Sequence, residues 1–286
     1  MLSLAFADLS PHSKTKNGIR IKTSPVFDSC NKFGDWPVSV IDMSISQHLK
    51  TGFISLLGLY LTLTWLLIYF ATREDRVAHA IISMGSGLLL LWVALGGSCM
   101  VLFRDRIKTC VQSIPLNWQV KFILFGILLT MLEEAITTTM TNLAPLFGVA
   151  VGEACITASA SYFDVILHHS VIVFVPWFFA WAWILKRYDF SPFWVFLFLG
   201  LQGLIGESIA FGAQNLSQFA MWIFVYGLTI YLPAYTIPAE RGARKPNLLH
   251  AILAFFLPLL SGFLWAILIN LLFPSHPSIH FPPIQN

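Results

Sequence analysis

The sequence predicts an all-α polytopic membrane protein, a single bundle of about seven transmembrane helices with a cytosolic N-terminus and an outer C-terminus. Three observations support this fold class. The chain of 286 residues is 57% hydrophobic and only 11% charged, whereas a soluble domain carries about 25% charged residues. Seven apolar segments each approach the roughly 20 residues that a helix needs to cross a bilayer. Lysine and arginine are concentrated in the loops on one side.

The apolar segments follow one another with short connections, several of them marked by proline or glycine. They cover approximately residues 51–72, 78–103, 119–147, 165–185, 192–213, 216–237 and 248–273. The chain therefore divides into a polar, basic N-terminal tail (1–50), a transmembrane helical bundle (51–273) and a short outer C-terminal tail (274–286).

The N-terminal tail differs from the rest of the chain. It holds six basic residues, four aspartates and no apolar run long enough to span a membrane. The opening MLSLAFA is too short for the core of a signal peptide, and its basic residues follow it rather than precede it. We expect a loosely ordered cytosolic tail. Met43 is an alternative start, in which case residues 1–42 do not belong to the native protein.

The distribution of basic residues predicts the orientation. With the N-terminus in the cytosol, 15 of the 17 lysine and arginine residues fall on the cytosolic side. Only Arg73 and Arg76 lie opposite, where Glu74 and Asp75 offset them. Because positively charged loops remain in the cytosol, we expect an integral protein of the cell (plasma) membrane with a cytoplasmic N-terminus.

The segment from Gly148 to Asp164 is apolar enough, with its neighbours, to suggest an eighth span. A further crossing, however, would move all basic residues beyond it to the outside. We expect an outer re-entrant or interfacial segment instead, or an extension of the fourth helix. Its small residues, such as Gly152, Ala154 and Ala158, suit close packing against other helices.

Five ionisable residues lie in or at the ends of segments that otherwise suit only a bilayer: Glu133, Glu134, His168, His169 and Glu207. A charge near the centre of a membrane costs at least a few kcal/mol, so a functional site is the default interpretation. The structural alternative is that the glutamates are protonated and hydrogen-bonded between helices, while the histidines anchor a helix in the headgroup region.

Helix geometry places three of these residues at a similar depth. At about 1.5 Å per residue, Glu134 lies roughly 20 Å, Glu207 roughly 22 Å and His168 about 26 Å from the cytosolic ends of their helices. We predict that these three side chains meet in the outer half of the bundle as a catalytic triplet. The same triplet is the predicted ligand set if a divalent metal ion is the cofactor.

Four further residues are predicted to support the triplet. Asp164 precedes His168 by four residues on the same helical face and can orient its ring. Thr138 belongs to a polar stripe that includes Glu134. Glu133 is rotated by about 100° away from that stripe, so the two adjacent glutamates need not share one environment. His169 is a second imidazole beside the first.

Several function classes fit these residues. A glutamate beside a histidine can activate water with or without a metal, so we favour an intramembrane hydrolase acting at the outer leaflet. Proton- or cation-coupled transport accounts for the same carboxylates, and a non-catalytic membrane subunit or assembly factor is a third alternative. Whether the protein is an enzyme stays open, as do its substrate and oligomeric state.

The double glutamate followed by a histidine about 35 residues later loosely resembles the prenyl-protein (CAAX-type) intramembrane proteases. The run EEAITT lacks the arginine that follows the glutamates in that family, and Glu207 stands where its last motif has a histidine. We therefore assign no family from this resemblance.

Other partners are excluded by what the sequence lacks. It has no basic stripe interleaved with aromatic residues, so nucleic acid is not an expected partner, and no glycine loop with lysine for an ATP-driven pump. The four cysteines (Cys30, Cys99, Cys110 and Cys155) have no CxxC spacing, which argues against a disulfide framework or a zinc site of the usual spacing. The lipid bilayer is the one partner that the sequence predicts.

Overall fold

The computed structural model describes residues 46–277 and residue 281, and within these residues the chain is helical and forms no β-strand. A short 3-10 turn, Ala144–Phe147, follows the third helix. The helices are α1 (Gln47–Ala71), α2 (Arg76–Ser113), α3 (Trp118–Asn142), α4 (Tyr162–His169), α5 (Val171–Arg187), α6 (Pro192–Phe211), α7 (Ala213–Tyr235) and α8 (Leu248–Leu272).

Five of these helices are long and apolar enough to cross a membrane, namely α1, α2, α6, α7 and α8. Helices α4 and α5 are bent by 49° relative to each other, and they count as a sixth if they form one broken span. Helix α3 is 25 residues long but is not among the five. The predicted class is therefore confirmed as an all-helical protein with five or six apolar helices that could span a membrane.

Side-chain caps fix where several helices begin. Asp75 accepts a hydrogen bond from the backbone N–H of Ala78 at the start of α2, and Asn117 accepts one from Gln119 at the start of α3. Asn247 and His250 form a reciprocal capping box at the start of α8. Such side chains satisfy N–H groups that have no partner inside the helix, so they determine where these helices begin.

Helix α3 occupies the centre of the bundle. It packs against α2, α5 and α7, while α6 and α7 form the most extensive pair and α1 lies at the edge. Gly200 on α6 brings that helix against the backbone of Ile223 on α7, since an added Cβ would lie only 2.6 Å from the Ile223 carbonyl oxygen. One face of α3 is exposed and apolar, with Leu124, Leu128 and Leu132, whereas Glu133, Glu134, Thr137 and Thr138 are buried against the neighbouring helices.

Gln202 on α6 shows how buried polar groups are satisfied in this bundle. Pro258 on α8 has no backbone N–H, so the carbonyl of Ala254 loses its helical partner. The Gln202 Nε2 donates to that carbonyl at 2.9 Å and to the Phe255 carbonyl at 2.7 Å. Its Oε1 accepts from Trp181 at 3.3 Å. Gln202 therefore joins three helices and has a structural role.

The segment after α3 is an irregular loop over residues 148–161, so no eighth spanning helix lies there. The loop is tied to the neighbouring helices by polar contacts. The Arg76 guanidinium pairs with Glu153 and donates to the Gly148 carbonyl at 2.8 Å. The Asn142 side chain donates to the Ala160 carbonyl at 2.9 Å. The predicted extension of the fourth helix reaches back only as far as Tyr162.

The loops at one end of the bundle contact one another and carry most of the basic residues. Lys121 donates to the carbonyl of Gln112 at 3.2 Å, and the Gln112 side chain donates to the carbonyl of Thr236 at 3.0 Å. We call this the basic end. Its lysine and arginine residues are Lys50, Arg104, Arg106, Lys108, Lys121, Lys186, Arg187, Arg241, Arg244 and Lys245.

Candidate functional site

The two adjacent glutamates of α3 are both buried and are bonded to hydroxyl groups. The Thr137 hydroxyl, one turn later, lies 2.9 Å from the backbone carbonyl oxygen of Glu133 and donates to the Glu134 carboxyl at 3.2 Å. Thr157 of the loop donates to the same carboxyl at 3.4 Å. The Ser170 hydroxyl, at the bend between α4 and α5, is a further partner of Glu134. Hydroxyls from three segments therefore converge on one carboxyl group.

Glu207 approaches the same place from α6. The Tyr226 hydroxyl on α7 donates a hydrogen bond to the Glu207 carboxyl. Glu207 interacts electrostatically with both Glu133 and Glu134, and Tyr226 interacts with all three carboxyl groups. Helices α3, α6 and α7 thus assemble one group of four side chains, Glu133, Glu134, Glu207 and Tyr226, which we call the carboxyl cluster.

The packing of α6 loosens at the level of this cluster. A Cβ at Gly203 would collide with the Tyr226 ring, whereas a Cβ at Gly206 would meet nothing within 4 Å. Glu207 comes directly after this open position and is half-buried. A small molecule could therefore approach Glu207 from the side of α6. Glu133 and Glu134 on α3 are buried.

Thr138 adds a hydroxyl that has no protein partner in the described part of the chain, although it is buried. It lies four residues after Glu134, on the same helical face. A buried polar group without a hydrogen bond costs about 1–3 kcal/mol, so a water molecule or a bound polar group beside Glu134 would stabilise it.

A second group of side chains lies at the opposite end of the bundle from the basic end. Asp164 Oδ1 lies 3.0 Å from His168 Nδ1 and 3.1 Å from His276 Nε2. Asp164 Oδ2 lies 3.5 Å from His169 Nε2, which is itself 3.0 Å from His276 Nε2. We call Asp164, His168, His169 and His276 the histidine cluster.

Comparison with protein-family models, curated proteins and solved structures found no match for this chain. Function is therefore inferred from the two clusters themselves.

The structure brings together part of the predicted triplet. Glu134 and Glu207 interact, as the depth estimate suggested. Among the described residues, the hydrogen bond and ion pair of His168 are with Asp164 and not with either glutamate. The predicted pairing of Asp164 with His168 is thus present, but it belongs to the histidine cluster.

Two differences from the sequence interpretation have physical reasons. The rotation of about 100° between Glu133 and Glu134 allows them separate environments, yet both are buried and belong to the same cluster, because the buried side of α3 is wide enough to include both positions. His276 lies in the short tail that was separated from the bundle, and sequence reasoning missed it. The predicted topology places the C-terminal tail and the α4 histidines on the same side, so a contact between them could have been predicted from the sequence.

The two clusters offer different chemistry. The carboxyl groups of the cluster are of a type that can take up and release protons, as general acids and bases do. The histidine cluster presents imidazole nitrogens and a carboxylate, which are ligands of transition metals. They are neighbours along the chain, since Ser170, which contacts Glu134, directly follows His169.

Proposed function

We propose that the chain crosses the plasma membrane seven times with its N-terminus in the cytosol, and that α3 and the bent α4–α5 pair are two of the spans. The 25 residues of α3 give a length of about 37 Å, which exceeds the roughly 30 Å of a hydrocarbon core. Its glutamates are covered by neighbouring helices rather than by lipid. The basic end would face the cytosol.

We further propose that the protein is an intramembrane hydrolase whose acid and base are glutamates of the carboxyl cluster. The observation that carries this proposal is the interaction between Glu134 on α3 and Glu207 on α6, supported by the Tyr226 hydroxyl. Carboxyl groups that interact electrostatically favour a state in which not all of them are charged, because negative charges repel one another. A charged and a neutral carboxyl side by side are the pair that acid–base hydrolysis requires.

In this reaction the charged carboxylate takes a proton from a water molecule while the water oxygen bonds to the carbonyl carbon of an ester or amide. The neutral carboxyl gives its proton to the leaving oxygen or nitrogen as the bond from that atom to the carbonyl carbon breaks. The buried Thr138 hydroxyl is placed to hold the water beside Glu134. Substrate would enter at the open side of α6, near Gly206.

Cation- or proton-coupled transport is the second candidate. One observation favours it: the hydrogen bonds and ion pairs described for the carboxyl cluster include no lysine or arginine. A bound cation or shared protons would then balance the charge of these intramembrane carboxylates.

The deciding experiment uses the purified full-length protein in lipid nanodiscs and in sealed vesicles. Nanodiscs are incubated with a panel of fluorogenic acyl esters and internally quenched peptides. We expect hydrolysis by the wild type and a rate lower by about 100-fold or more in Glu134→Gln and Glu207→Gln. Glu240→Gln, at an exposed glutamate of the basic end, should match the wild type.

All variants must reach the membrane at wild-type levels for this comparison. Unchanged hydrolysis in both glutamine variants would refute the assignment of the acid and base. No hydrolysis by the wild type, together with glutamate-dependent proton movement into vesicles containing a pH-sensitive dye, would establish the transport alternative. Loss of both variants from the membrane would show that the glutamates hold helices together.

A further inference from the structure

The histidine cluster joins two segments that are far apart in sequence. Asp164 and His168 lie four residues apart on α4, and His276 follows the end of α8 at Leu272. The ligand atoms of Asp164, His168 and His276 all lie within 4.8 Å of one another. Two imidazoles and one carboxylate therefore converge on one point beyond the apolar part of α8.

One nitrogen of His276 lies close to two other side chains of the cluster. The His276 Nε2 atom lies 3.1 Å from an Asp164 oxygen and 3.0 Å from the Nε2 atom of His169. A neutral imidazole nitrogen either donates one hydrogen or accepts with one lone pair. His276 and His169 form a hydrogen-bonded pair in which one of the two nitrogens donates and the other accepts, and the Asp164 carboxylate lies beside both rings. A cation at this point would be attracted by every lone pair.

The distances also suit a small divalent ion. Zinc–nitrogen and zinc–oxygen bonds of about 2.0–2.2 Å give ligand-to-ligand separations of about 3.3–3.5 Å in a tetrahedral site. The 3.0 Å and 3.1 Å separations from Asp164 to its two histidine partners are a few tenths of an ångström shorter. Small rotations of these half-buried side chains would open the space for an ion.

The cluster borders a small recess, from which a further ligand of a bound ion could approach. A shallow recess at the cluster is lined by His168, His169, Ile269, Asn270, Phe273 and His276. The Phe273 ring meets the edge of the His168 ring at 5.1 Å, which holds that imidazole in place. The helix at Asp164–His169 continues as a π-helical turn, a form that is frequent at functional sites.

We propose that Asp164, His168 and His276 bind one divalent transition-metal ion of the zinc or ferrous-iron class. His169 lies beside this ligand set and can exchange with it or hydrogen-bond to it. Three protein ligands and an open position are typical of a catalytic rather than a structural zinc site. The ion would also fasten the segment after α8 to the bent helix. This proposal does not depend on the hydrolase assignment.

The test measures metal content directly. Full-length protein is purified through an affinity tag without histidines, in lipid nanodiscs, and its first-row metals are determined by mass spectrometry before and after incubation with Zn²⁺. We expect about one ion per chain in the wild type and at least a tenfold lower content in His168→Ala and His276→Ala. His48→Ala removes an exposed histidine of α1 and should keep the metal.

Thermal unfolding gives a second, independent measurement. Zn²⁺ should raise the Tm of the metal-depleted wild type and of Glu134→Gln, but not that of His276→Ala. Stoichiometric iron after purification without oxygen would support the site and identify the ion as ferrous. The proposal is overturned if the wild type holds no transition metal and gains none from Zn²⁺. Equal zinc binding by the histidine variants would overturn the ligand assignment.

Discussion

The Tyr226 hydroxyl donates a hydrogen bond to the Glu207 carboxyl across the contact between α6 and α7. This contact is close because Gly203, one turn before Glu207, has no side chain to keep the tyrosine ring away. The ring of Phe174 on α5 stacks on Tyr226 with centroids 5.3 Å apart. The phenol is therefore fixed in position before any substrate binds.

Replacing Tyr226 with phenylalanine should lower the proposed hydrolysis without loss of protein from the membrane. The variant keeps the ring and removes only the hydroxyl that bonds Glu207. A hydrogen bond to a charged group contributes about 1.5–3 kcal/mol, which corresponds to a rate lower by about 10- to 100-fold. Initial rates on the best substrate of the ester and peptide panel measure the effect. Tyr60→Phe, which removes a bond to the Ser217 carbonyl at the edge of the bundle, should leave the rate unchanged.

Gln202→Met should destabilise the bundle and leave the carboxyl cluster intact. Methionine has a similar length but cannot donate to the Ala254 carbonyl, which Pro258 leaves without a helical partner. We expect a loss of about 1–2 kcal/mol in the free energy of unfolding, measured by titration with a denaturing detergent. Gln119→Met, in the first turn of α3, serves as the control, because the Gln119 side chain makes no hydrogen bond in the described part of the chain. Equal stability of both variants would contradict the structural role of Gln202.

Gly200→Ala should weaken the contact between α6 and α7. An added methyl group would lie 2.6–2.7 Å from backbone atoms of Ile223, and backbone cannot move aside as a side chain can. Overpacking of this kind costs about 1–3 kcal/mol, and the Tm should fall accordingly. Gly58→Ala on α1 meets no atom within 4 Å. It should be neutral or stabilising because alanine favours helix. A Tm for Gly200→Ala at or above that of the wild type would show that the helices are not packed this closely.

The sequence predicted the ends of a helix well where a proline or a glycine marks them. The fifth apolar segment was placed at 192–213, and α6 runs from Pro192 to Phe211. Proline suits the first helical position, and Gly212 adopts a φ of +106° that stops the helix. The bend at Ser170 was not predicted, because it arises from a π-helical turn and no proline or glycine marks it.

The sequence indicated the depth of the candidate site residues but not which of them are neighbours. Distance along a helix gives depth, so Glu134 and Glu207 could be placed at one level. Depth does not give lateral neighbours, and His168 at a similar depth pairs with Asp164 and His276. Which residues meet across the bundle depends on contacts between helices that no single segment encodes.

Acid should release the loop after α3 from α2. The backbone N–H of Ala150 and the Arg76 guanidinium stabilise the Glu153 carboxylate, so the pKa of Glu153 lies below its ordinary value of 4.5. A lowered pKa means that this anchoring is complete above the ordinary value and is lost as the pH falls through the lower one. Hydrogen exchange of amides in residues 148–161, corrected for intrinsic rates, should therefore accelerate as the pH is lowered below the ordinary value of 4.5. In Glu153→Gln exchange should be fast already at neutral pH, with no further acid-dependent step. An acid step of wild-type size in that variant would assign the release to another group.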